Sequence, residues 1–380
     1  MVEKKVKKQK LEDHEVEGNK DIAKRVYEKL DNIVTQIKNN HNPTFTTKVR
    51  GLSNVYYDEK KQFIQLGDKQ VTRPFLNLGA ARKFMQTMIV ADKCHEYLLH
   101  DKTASIREIY YELKHTVKGT KENTFDGQEE SNDVIVDLEH SVNTIREKLG
   151  LQADPKGSLY GDITLIDRKH ENDEFNASKL GRGGWSIMSR IEPEEIEIKD
   201  VNADYLLVVE TAAMYGRLIE EKFPKQNKCI LIGTSGQAAR GSRRLIHRLN
   251  KEFNLPVVVF TDGDPYGWYI YSVIKSGSMA LAAHSKFLAV PDAKFVGMTL
   301  TDVEHYGLEN VTEKMKDGDV KRAKELMNYD WFKSAGWQKE IKLAIEKKIR
   351  IEQQALANKS LDFVAKEYLP KKIENNIFVE

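Results

Sequence analysis

Short apolar runs alternate with amphipathic stretches from about residue 200 onward. The pattern predicts, in order, strand 205–209, helix 211–222, strand 229–233, helix 237–252, strand 257–261 and helix 267–277. Such alternation is typical of a parallel α/β sheet with right-handed crossovers. The last stretch, about 311–370, has the pattern of a highly charged helical region.

The first part of the chain is dominated instead by apolar residues at helical spacing. Residues 1 to about 20 are charged and poor in apolar side chains, which predicts mobility. Helices are predicted at 20–38, 78–99, 104–115 and 132–149, with a hairpin at 53–67 and a polar break at 118–131. Together with the short run at 158–166, this order suggests a winged-helix-like DNA module. The expected fold class is therefore α/β with more than one domain.

The composition indicates the cellular compartment of the protein but not its function. The chain has 380 residues and a net charge of only +2, so any surface for nucleic acid must come from local basic clusters. Its two cysteines fit a reducing compartment. The start of the chain lacks the apolar core of a signal peptide, and no stretch approaches the length of a membrane span. We therefore expect a cytosolic or nuclear protein without a membrane partner.

Two of the predicted strands end in carboxylates. Glu210 closes the run LLVVE, and Asp262 and Asp264 follow VVVFT. Asp262 and Asp264 are two residues apart, so in extended chain they project to the same side. Ligands of open α/β sheets bind beyond the carboxyl ends of the strands, and converging carboxylates repel one another without a hard cation. Mg²⁺, which binds through a few carboxylates and phosphate oxygens, is the natural candidate.

The segment TASIREIYYELKHTV at 103–117 contains two adjacent tyrosines that helical geometry separates. Tyr110 lies on the apolar stripe of the predicted helix and is most simply a core residue. Tyr111 lies off that stripe, one turn after Arg107. A guanidinium favours the ionised form of a nearby phenol and can also hold a phosphate. Taken alone, however, an exposed Arg–Tyr pair is an ordinary stacking contact.

In combination these segments resemble a known family. SIREIYYELKH, SNDVIVDLEHSVNTIREKLG, LLVVETAAM, VVVFTDGDPYG, FLAVPDAKFVGMTLTDVEHYGL and EYLPKKI make the chain similar to the A subunits of archaeal DNA topoisomerase VI and to the meiotic double-strand-break transesterases. The resemblance runs from about residue 69 to the end. It implies an N-terminal extension at 1–68, a winged-helix (CAP-like) domain at 69–156, and a Toprim domain with a helical C-terminal part at 157–380.

The resemblance also assigns roles to individual residues. Tyr111 becomes the nucleophile, Arg107 its phosphate-binding partner, and Glu210, Asp262 and Asp264 the Mg²⁺ ligands. It implies double-stranded DNA as substrate, a homodimer of this chain, and a separate GHKL-type ATPase subunit in an A2B2 assembly. The sequence has no P-loop motif, so if ATP drives the system another polypeptide must bind it. The expected location is the nucleoid-containing cytoplasm of an archaeon-like cell, or the nucleus of a eukaryote.

One segment departs from the family pattern. Family members usually carry Pro-Asp where this chain has Ala238 and Ala239, ahead of the predicted helix at 237–252. On that helix, basic side chains share one face, namely Arg240, Arg243, Arg244, His247 and Lys251. They form a candidate stripe for DNA phosphates, and a solvated helix face explains them about equally well.

Other functions remain open from the sequence. A Toprim-type nuclease or primase-like enzyme would use the same carboxylates without Tyr111. A non-catalytic DNA-binding scaffold would carry a vestigial acidic site, which the intact set of three carboxylates argues against. A stand-alone protein that makes double-strand breaks differs from a topoisomerase subunit only in its partner, which one chain cannot show.

Overall fold

The computed structural model describes residues 8–9 and 17–379, so the predicted mobility of residues 1–20 falls mostly outside the described residues. The described chain has two apolar cores, one built from residues 22–151 and the other from residues 159–369. The division at 68 and 156 stays a prediction. Helix Asn19–Lys38, which was expected to belong to an extension, contributes Ile22 and Val26 to the first core.

Helices frame the first core, and short strands connect them. The elements are α1 (Asn19–Lys38), β1 (Thr44–Lys48), β2 (Val55–Asp58), β3 (Phe63–Leu66), β4 (Gln70–Pro74), α2 (Leu78–Leu99), β5 (Ala104–Ser105), α3 (Ile106–Leu113), α4 (Gln128–Ser141) and β6 (Leu151–Gln152). Helices α1 to α3 and the hairpin β2–β3 lie where the sequence predicts them.

The helix predicted at 132–149 is wrong at both ends. Helix α4 begins at Gln128, inside the stretch expected to be irregular, and ends at Ser141. Asn143 then takes a left-handed backbone conformation with φ of 52°, which a continuing helix excludes. A short 3-10 helix, Arg146–Leu149, follows.

The second core surrounds a six-stranded sheet. Its elements are β7 (Ser158–Tyr160), β8 (Ile163–Asp167), β9 (Asp173–Asn176), β10 (Trp185–Ser186), β11 (Ile196–Val201), β12 (Tyr205–Val209), α5 (Ala212–Glu220), α6 (Phe223–Gln226), β13 (Cys229–Gly233), α7 (Arg240–Phe253), β14 (Val257–Phe260), α8 (Pro265–Ser276), α9 (Ser285–Leu288) and β15 (Lys294–Gly297). The run at 158–166 therefore supplies strands of this second part and is not a wing of the first, because β7 pairs with β13, and β8 pairs with β9 and β11.

The sheet has the order β10-β7-β13-β12-β14-β15. Strands β12, β13, β14 and β15 are parallel to one another. Strands β7 and β10 extend the sheet beyond β13, and each is antiparallel to the strand before it in the sheet. Because β13 and β14 lie on opposite sides of β12, the strand order reverses there. In open α/β sheets such a reversal leaves a crevice beyond the carboxyl ends of the strands, where ligands bind.

A charged helical region completes the second core. Its elements are α10 (Leu300–Tyr306), β16 (Glu313–Lys314), α11 (Asp317–Leu326), α12 (Ala335–Lys347), β17 (Ile349–Arg350), a 3-10 helix (Gln353–Asn358), a π-helix (Val364–Tyr368) and α13 (Leu369–Glu374). Trp337, Ile341, Phe332 and Leu369 pack from this region into the core of the sheet domain. In the part of the chain that the structure describes, no helix has the length and apolar character needed to cross a bilayer.

Candidate active site

The carboxyl ends of β12 and β14 bring two carboxylates together. Val209 and Phe260 are paired at the ends of these parallel strands, and the backbone N–H of Glu210 donates to the Phe260 carbonyl at 3.2 Å. The Glu210 Oε2 atom in turn accepts a hydrogen bond from the backbone N–H of Asp262 at 3.1 Å. Both residues directly follow strands whose apolar side chains are buried, and these strands fix the positions of the two carboxylates.

The third predicted carboxylate is engaged differently. Asp264 is the N-cap of α8, and its Oδ1 atom accepts from the backbone N–H groups of Tyr266 at 2.9 Å and Gly267 at 2.7 Å. Its Oδ2 atom lies 3.6 Å from Nη1 of Arg350. The expected convergence of three carboxylates on one point is therefore not observed, because Asp264 satisfies the first N–H groups of a helix.

The electrostatics of the pair reflect burial and like charge. Burial is the main cause that raises the pKa of Glu210 to about 7, and Asp262 adds to it. Burial likewise raises the pKa of Asp262 to about 6, against the hydrogen bond from Gln353. Burial raises the pKa of Asp264 as well, opposed by its two cap hydrogen bonds. A cation would relieve the repulsion that these shifts express.

A segment far along the chain closes one side of the site. Gly263 and Ile351 exchange backbone hydrogen bonds at 2.7 and 3.2 Å, forming an isolated antiparallel bridge. A Cβ at Gly263 would lie 2.6 Å from the side chain of Ile351, so only glycine fits this close approach. The bridge places residues 350–353 beside the aspartates.

Gln353 is the most connected residue of this segment. Its backbone N–H donates to Asp262 Oδ1 at 2.8 Å, and its side-chain amide donates to the Phe260 carbonyl at 2.9 Å. Its Oε1 atom accepts from Thr211 Oγ1 at 3.2 Å. This fully buried side chain therefore ties together the ends of β12 and β14. Sequence reasoning missed it, and no periodicity in the sequence marks it.

Two charged neighbours in the same segment were also missed. Glu352 is exposed, and its charge raises the pKa of both Glu210 and Asp262. Arg350 pairs with Glu313 as well as approaching Asp264, and its charge lowers the pKa of Asp262 and Asp264. The site therefore has a fourth carboxylate and one balancing guanidinium that the strand patterns do not reveal.

The oxygen atoms of Glu210 and Asp262 fit a hard divalent cation. Within residues 8–9 and 17–379, no group of three His, Cys, Asp or Glu side chains is arranged to enclose a metal ion. Mg²⁺ nevertheless binds commonly through one or two carboxylates, with water and substrate phosphate oxygens as its other ligands. The donor set therefore suits Mg²⁺ shared with a phosphate rather than a metal site closed by protein.

The two tyrosines of α3 have opposite environments, as the helical pattern predicts. The Tyr110 ring is 7% exposed and packs against Phe125, whereas Tyr111 is 65% exposed. The ring centroids of the two tyrosines are 5.0 Å apart. Ser105 caps the helix, with its hydroxyl accepting from the Glu108 N–H at 3.0 Å. A short, well-capped helix therefore presents Tyr111 to the outside.

The cation closest to this tyrosine pair is one that the sequence did not single out. Lys114 Nζ donates to Tyr110 Oη at 2.8 Å, and this bond, together with a weaker contribution from Tyr111, raises the pKa of Lys114. Arg107 is exposed, and no hydrogen bond joins it to Tyr111 among the described residues. The predicted Arg107–Tyr111 pair is thus one turn apart on the helix, with no hydrogen bond between the two side chains in the described structure.

The basic face predicted on α7 is mostly buried. Arg243, Arg244 and His247 are inaccessible, Arg240 is nearly so, and Lys251 is exposed. A stripe that follows DNA phosphates requires exposed side chains, so this interpretation is wrong for every member except Lys251.

Specific partners account for the burial of Arg240, Arg244 and His247. Arg240 Nη1 lies 2.5 Å from Glu139 Oε1 on α4, and Arg244 binds both carboxylate oxygens of Glu192 at 2.9 and 3.0 Å. His247 Nδ1 lies 2.8 Å from the Ala289 carbonyl. These side chains therefore hold neighbouring segments against α7.

Family models match both parts of the chain. The model that describes the Toprim domain shared by the A subunits of topoisomerase 6 and Spo11 matches residues 205–373, which include Glu210, Asp262 and Asp264. The model described as "Type IIB DNA topoisomerase" matches residues 82–151, which include Tyr111.

Curated relatives match almost the whole chain. A protein of Pyrococcus horikoshii, named as the A subunit of type 2 DNA topoisomerase 6, is 52% identical over 97% of this chain and 98% of its own length. Proteins of the same name from Sulfurisphaera tokodaii and Methanocaldococcus jannaschii are 39% and 36% identical, covering 95% and 93% of this chain and equal shares of their own.

Proposed function

The chain belongs to the family of A subunits of type 2 DNA topoisomerase 6, as the DNA-cleaving subunit of a type IIB topoisomerase, and we propose that it cuts DNA with Tyr111, assisted by Glu210 and Asp262. The assignment depends on two features of the same chain, the exposed phenol of Tyr111 and the half-buried carboxylate pair Glu210–Asp262, each in the part matched by its own family model. A nuclease that ignores the tyrosine leaves the exposed phenol of α3 without a role.

The chemistry is a transesterification. The phenolic oxygen of Tyr111 attacks a backbone phosphorus and forms a phosphotyrosyl ester, while the bond from phosphorus to a deoxyribose oxygen breaks. The phenol loses a proton and the released oxygen gains one. Because one ester replaces another, the reverse reaction rejoins the strand without consuming a nucleotide.

Ionising the phenol requires help, since its ordinary pKa is about 10. Arg107 and Lys114 lie one turn from Tyr111 on either side along the chain, where their positive charges attract the DNA phosphate. We assign them the role of charge support for the nucleophile.

Glu210 and Asp262 are the side chains that would hold Mg²⁺. When bound, the ion would stabilise negative charge on the phosphate during transfer. We assign Asp264 a supporting role, since it caps α8 and fixes the loop that carries Asp262.

This division of roles can be tested by Mg²⁺ titration of three variants. Glu210→Ala and Asp262→Ala should abolish cleavage but leave DNA binding nearly unchanged. Asp264→Asn retains a capping oxygen without the charge, so it should keep the Mg²⁺ affinity within a few-fold of the unmodified chain. A loss of Mg²⁺ affinity in Asp264→Asn as large as that in Asp262→Ala would make Asp264 a direct ligand.

We further propose that two copies of the chain form composite sites. A single tyrosine breaks one strand, so cutting a duplex requires two copies related by a two-fold axis. Within one chain Tyr111 packs on Tyr110, and no contact joins it to Glu210 or Asp262 in the described structure. The tyrosine of one protomer is therefore proposed to work with the carboxylates of the other.

Mixed dimers test the composite site directly. Combining Tyr111→Phe chains with Glu210→Ala chains leaves one doubly defective site and one intact site if the arrangement is in trans, so single-strand nicking should return. An arrangement within one chain leaves a defect in each site and restores nothing. Verified mixed dimers that fail to nick DNA would contradict the composite site without affecting the tyrosine assignment.

The energy source is proposed to lie in a second polypeptide. The sequence has no P-loop motif, and the relatives are named as A subunits, so we propose a GHKL-type ATPase B subunit that opens and closes a DNA gate in an A2B2 assembly. The organisms of the relatives suggest an archaeal cell, in which the enzyme acts on the nucleoid in the cytoplasm.

A further inference from the structure

A polar cavity lies between the two parts of the chain, away from the strand ends that carry Glu210 and Asp262. Its volume is about 180 Å³. One wall comes from α4 and the strands β1 and β3, including His140, Thr144 and Lys48. The opposite wall comes from the 3-10 helix Met279–His284 and from α9, including His284 and Lys286.

Several side chains that line this cavity have unsatisfied polar atoms. Both ring nitrogens of His140, both ring nitrogens of His284, and the Thr144 hydroxyl are buried without a hydrogen-bond partner among the described residues. His284 is 1% exposed, and its ring centroid lies 5.3 Å from that of His140. Leaving such buried groups without a hydrogen-bond partner is unfavourable. Their concentration around one cavity indicates a site for a polar ligand.

The charges around the cavity favour an anion. Its one acidic lining residue, Glu139, binds Arg240 at 2.5 and 3.2 Å and accepts the Arg146 backbone N–H at 2.5 Å, and its Oε1 atom lies 3.7 Å from Nε2 of His284. Lys48 and Lys286 add two ammonium groups, which contact Asp68 at 3.0 Å and the Asn143 side-chain oxygen at 3.2 Å. The lining therefore has two lysines against one glutamate, with Lys48 ion-paired to Asp68, and it has N–H donors on both walls.

We propose that this cavity binds a free oxyanion of the phosphate or sulfate class, held by His140, His284 and Thr144 and by the ammonium groups of Lys48 and Lys286. The volume equals about six water molecules at roughly 30 Å³ each, which admits a tetrahedral oxyanion with a few waters. It is below the size of pockets that bury larger organic ligands, about 300 Å³ and above.

Burial keeps the imidazoles neutral and therefore able to donate one N–H each. Burial is the main cause that lowers the pKa of His284 to about 3, with Glu139 opposing it, and burial also lowers the pKa of His140. A bound oxyanion would link α4 to α9 and so fix the tyrosine-bearing part against the sheet domain. This role is separate from the cleavage chemistry.

Calorimetric titration of the full chain in phosphate-free buffer tests the proposal. Phosphate and sulfate should bind with one site per chain and raise the melting temperature, whereas chloride at equal ionic strength should not. Lys286→Gln and His140→Ala should each weaken phosphate binding by at least about tenfold, which corresponds to about 1.4 kcal/mol. Lys324→Gln, at an exposed lysine of α11, and His170→Ala, at an exposed histidine, are the matched controls.

Several outcomes would overturn the assignment. Absence of saturable binding would leave a cavity filled by water only. Equal affinity in Lys286→Gln, His140→Ala and the controls would mean an adventitious ion only. Competition between a short duplex and phosphate would assign the site to DNA instead. Tyr111→Phe should bind phosphate normally, so a failure here is distinguishable from a failure of the cleavage assignment.

Discussion

Tyr110 and Tyr111 are adjacent in sequence, but we expect substitutions at the two positions to have different effects, on stability and on DNA cleavage respectively. Tyr111→Phe should keep the stability of the chain and abolish covalent protein–DNA adducts, because the exposed hydroxyl is the proposed nucleophile. Tyr110→Ala should lower the free energy of unfolding by about 3–5 kcal/mol, because it removes a buried ring from the core. Adducts trapped with denaturant and urea unfolding curves measure the two effects. Adducts persisting in Tyr111→Phe would refute the assignment.

Gln353 is expected to position Asp262 rather than to contact DNA. Gln353→Ala removes the side-chain bonds to the Phe260 carbonyl and Thr211, so the segment that donates to Asp262 should loosen. We expect the Mg²⁺ concentration for half-maximal cleavage to rise about tenfold or more, with DNA affinity unchanged. Gln354→Ala is the control, since Gln354 is exposed and contacts only the Thr211 hydroxyl at 3.1 Å. Equal Mg²⁺ requirements in both variants would contradict this role.

Sequence reasoning succeeded for residues whose position follows from a local period. The helical spacing of α3 separates Tyr110 from Tyr111, and the ends of two apolar strands locate Glu210 and Asp262. It failed for Gln353, which lies 91 residues from Asp262 in sequence. A contact of that range follows from the path of the whole chain, which no local pattern encodes.

Helix α7 shows the same limit at the level of an element. The three strands and the helices at 205–277 were predicted to within a few residues, because burial on both faces leaves continuous apolar runs, whereas β7, β10 and β15 were not predicted as strands of this sheet. The basic face of α7 was predicted to be exposed to solvent, because charged side chains usually lie at the protein surface. The carboxylates that bury it, Glu139 and Glu192, belong to segments 101 and 52 residues away from their partners. Charge pattern alone cannot distinguish a solvated face from a paired one.

The start of α7 offers a stabilising substitution. Ala239 is the N-cap residue and makes no side-chain cap, at the position where the family pattern has an aspartate. Ala239→Asp should raise the free energy of unfolding by about 1 kcal/mol, because a carboxylate would accept an N–H of the first turn and favour the helix dipole. Urea denaturation measures the change. Ala239→Asn should retain most of the gain and Ala239→Leu none, so equal stability of the Asp and Leu variants would contradict the capping argument.

At the scale of the whole molecule, the interface between α4 and the sheet domain should make the chain sensitive to acid. The pKa of His284 is lowered to about 3 by burial, so the unfolded chain takes up a proton below pH 6.5 that the native chain does not. The charge of Arg240 outweighs burial and lowers the pKa of Glu139 to about 2, so its stabilising contribution is complete above pH 4.5 and is lost as the pH falls toward 2. Stability should therefore decline from about pH 6.5 downward and more steeply below 4.5.

The pH dependence of stability can be assigned to His284 by comparing how steeply the free energy of unfolding changes with pH in a variant and in the unmodified chain. One proton corresponds to about 1.4 kcal/mol per pH unit. Between pH 6 and 5 the slope for His284→Leu should be shallower than that of the unmodified chain by about this amount, whatever packing energy the substitution costs. His170→Ala, at an exposed residue, is the control. Identical slopes in both variants, measured by urea unfolding in phosphate-free buffer, would contradict the assignment to His284.

The backbone bridge between Gly263 and Ile351 also bears on how the enzyme is made. Glu210 and Asp262 leave the ribosome long before residues 350–353, yet Asp262 gains its hydrogen bond from Gln353 only when that later segment has emerged and folded. A nascent or prematurely terminated chain can therefore carry the tyrosine and the acidic residues without a finished site. Under the proposed function, an incomplete copy of the chain would therefore bind Mg²⁺ more weakly than the full chain and cut less DNA.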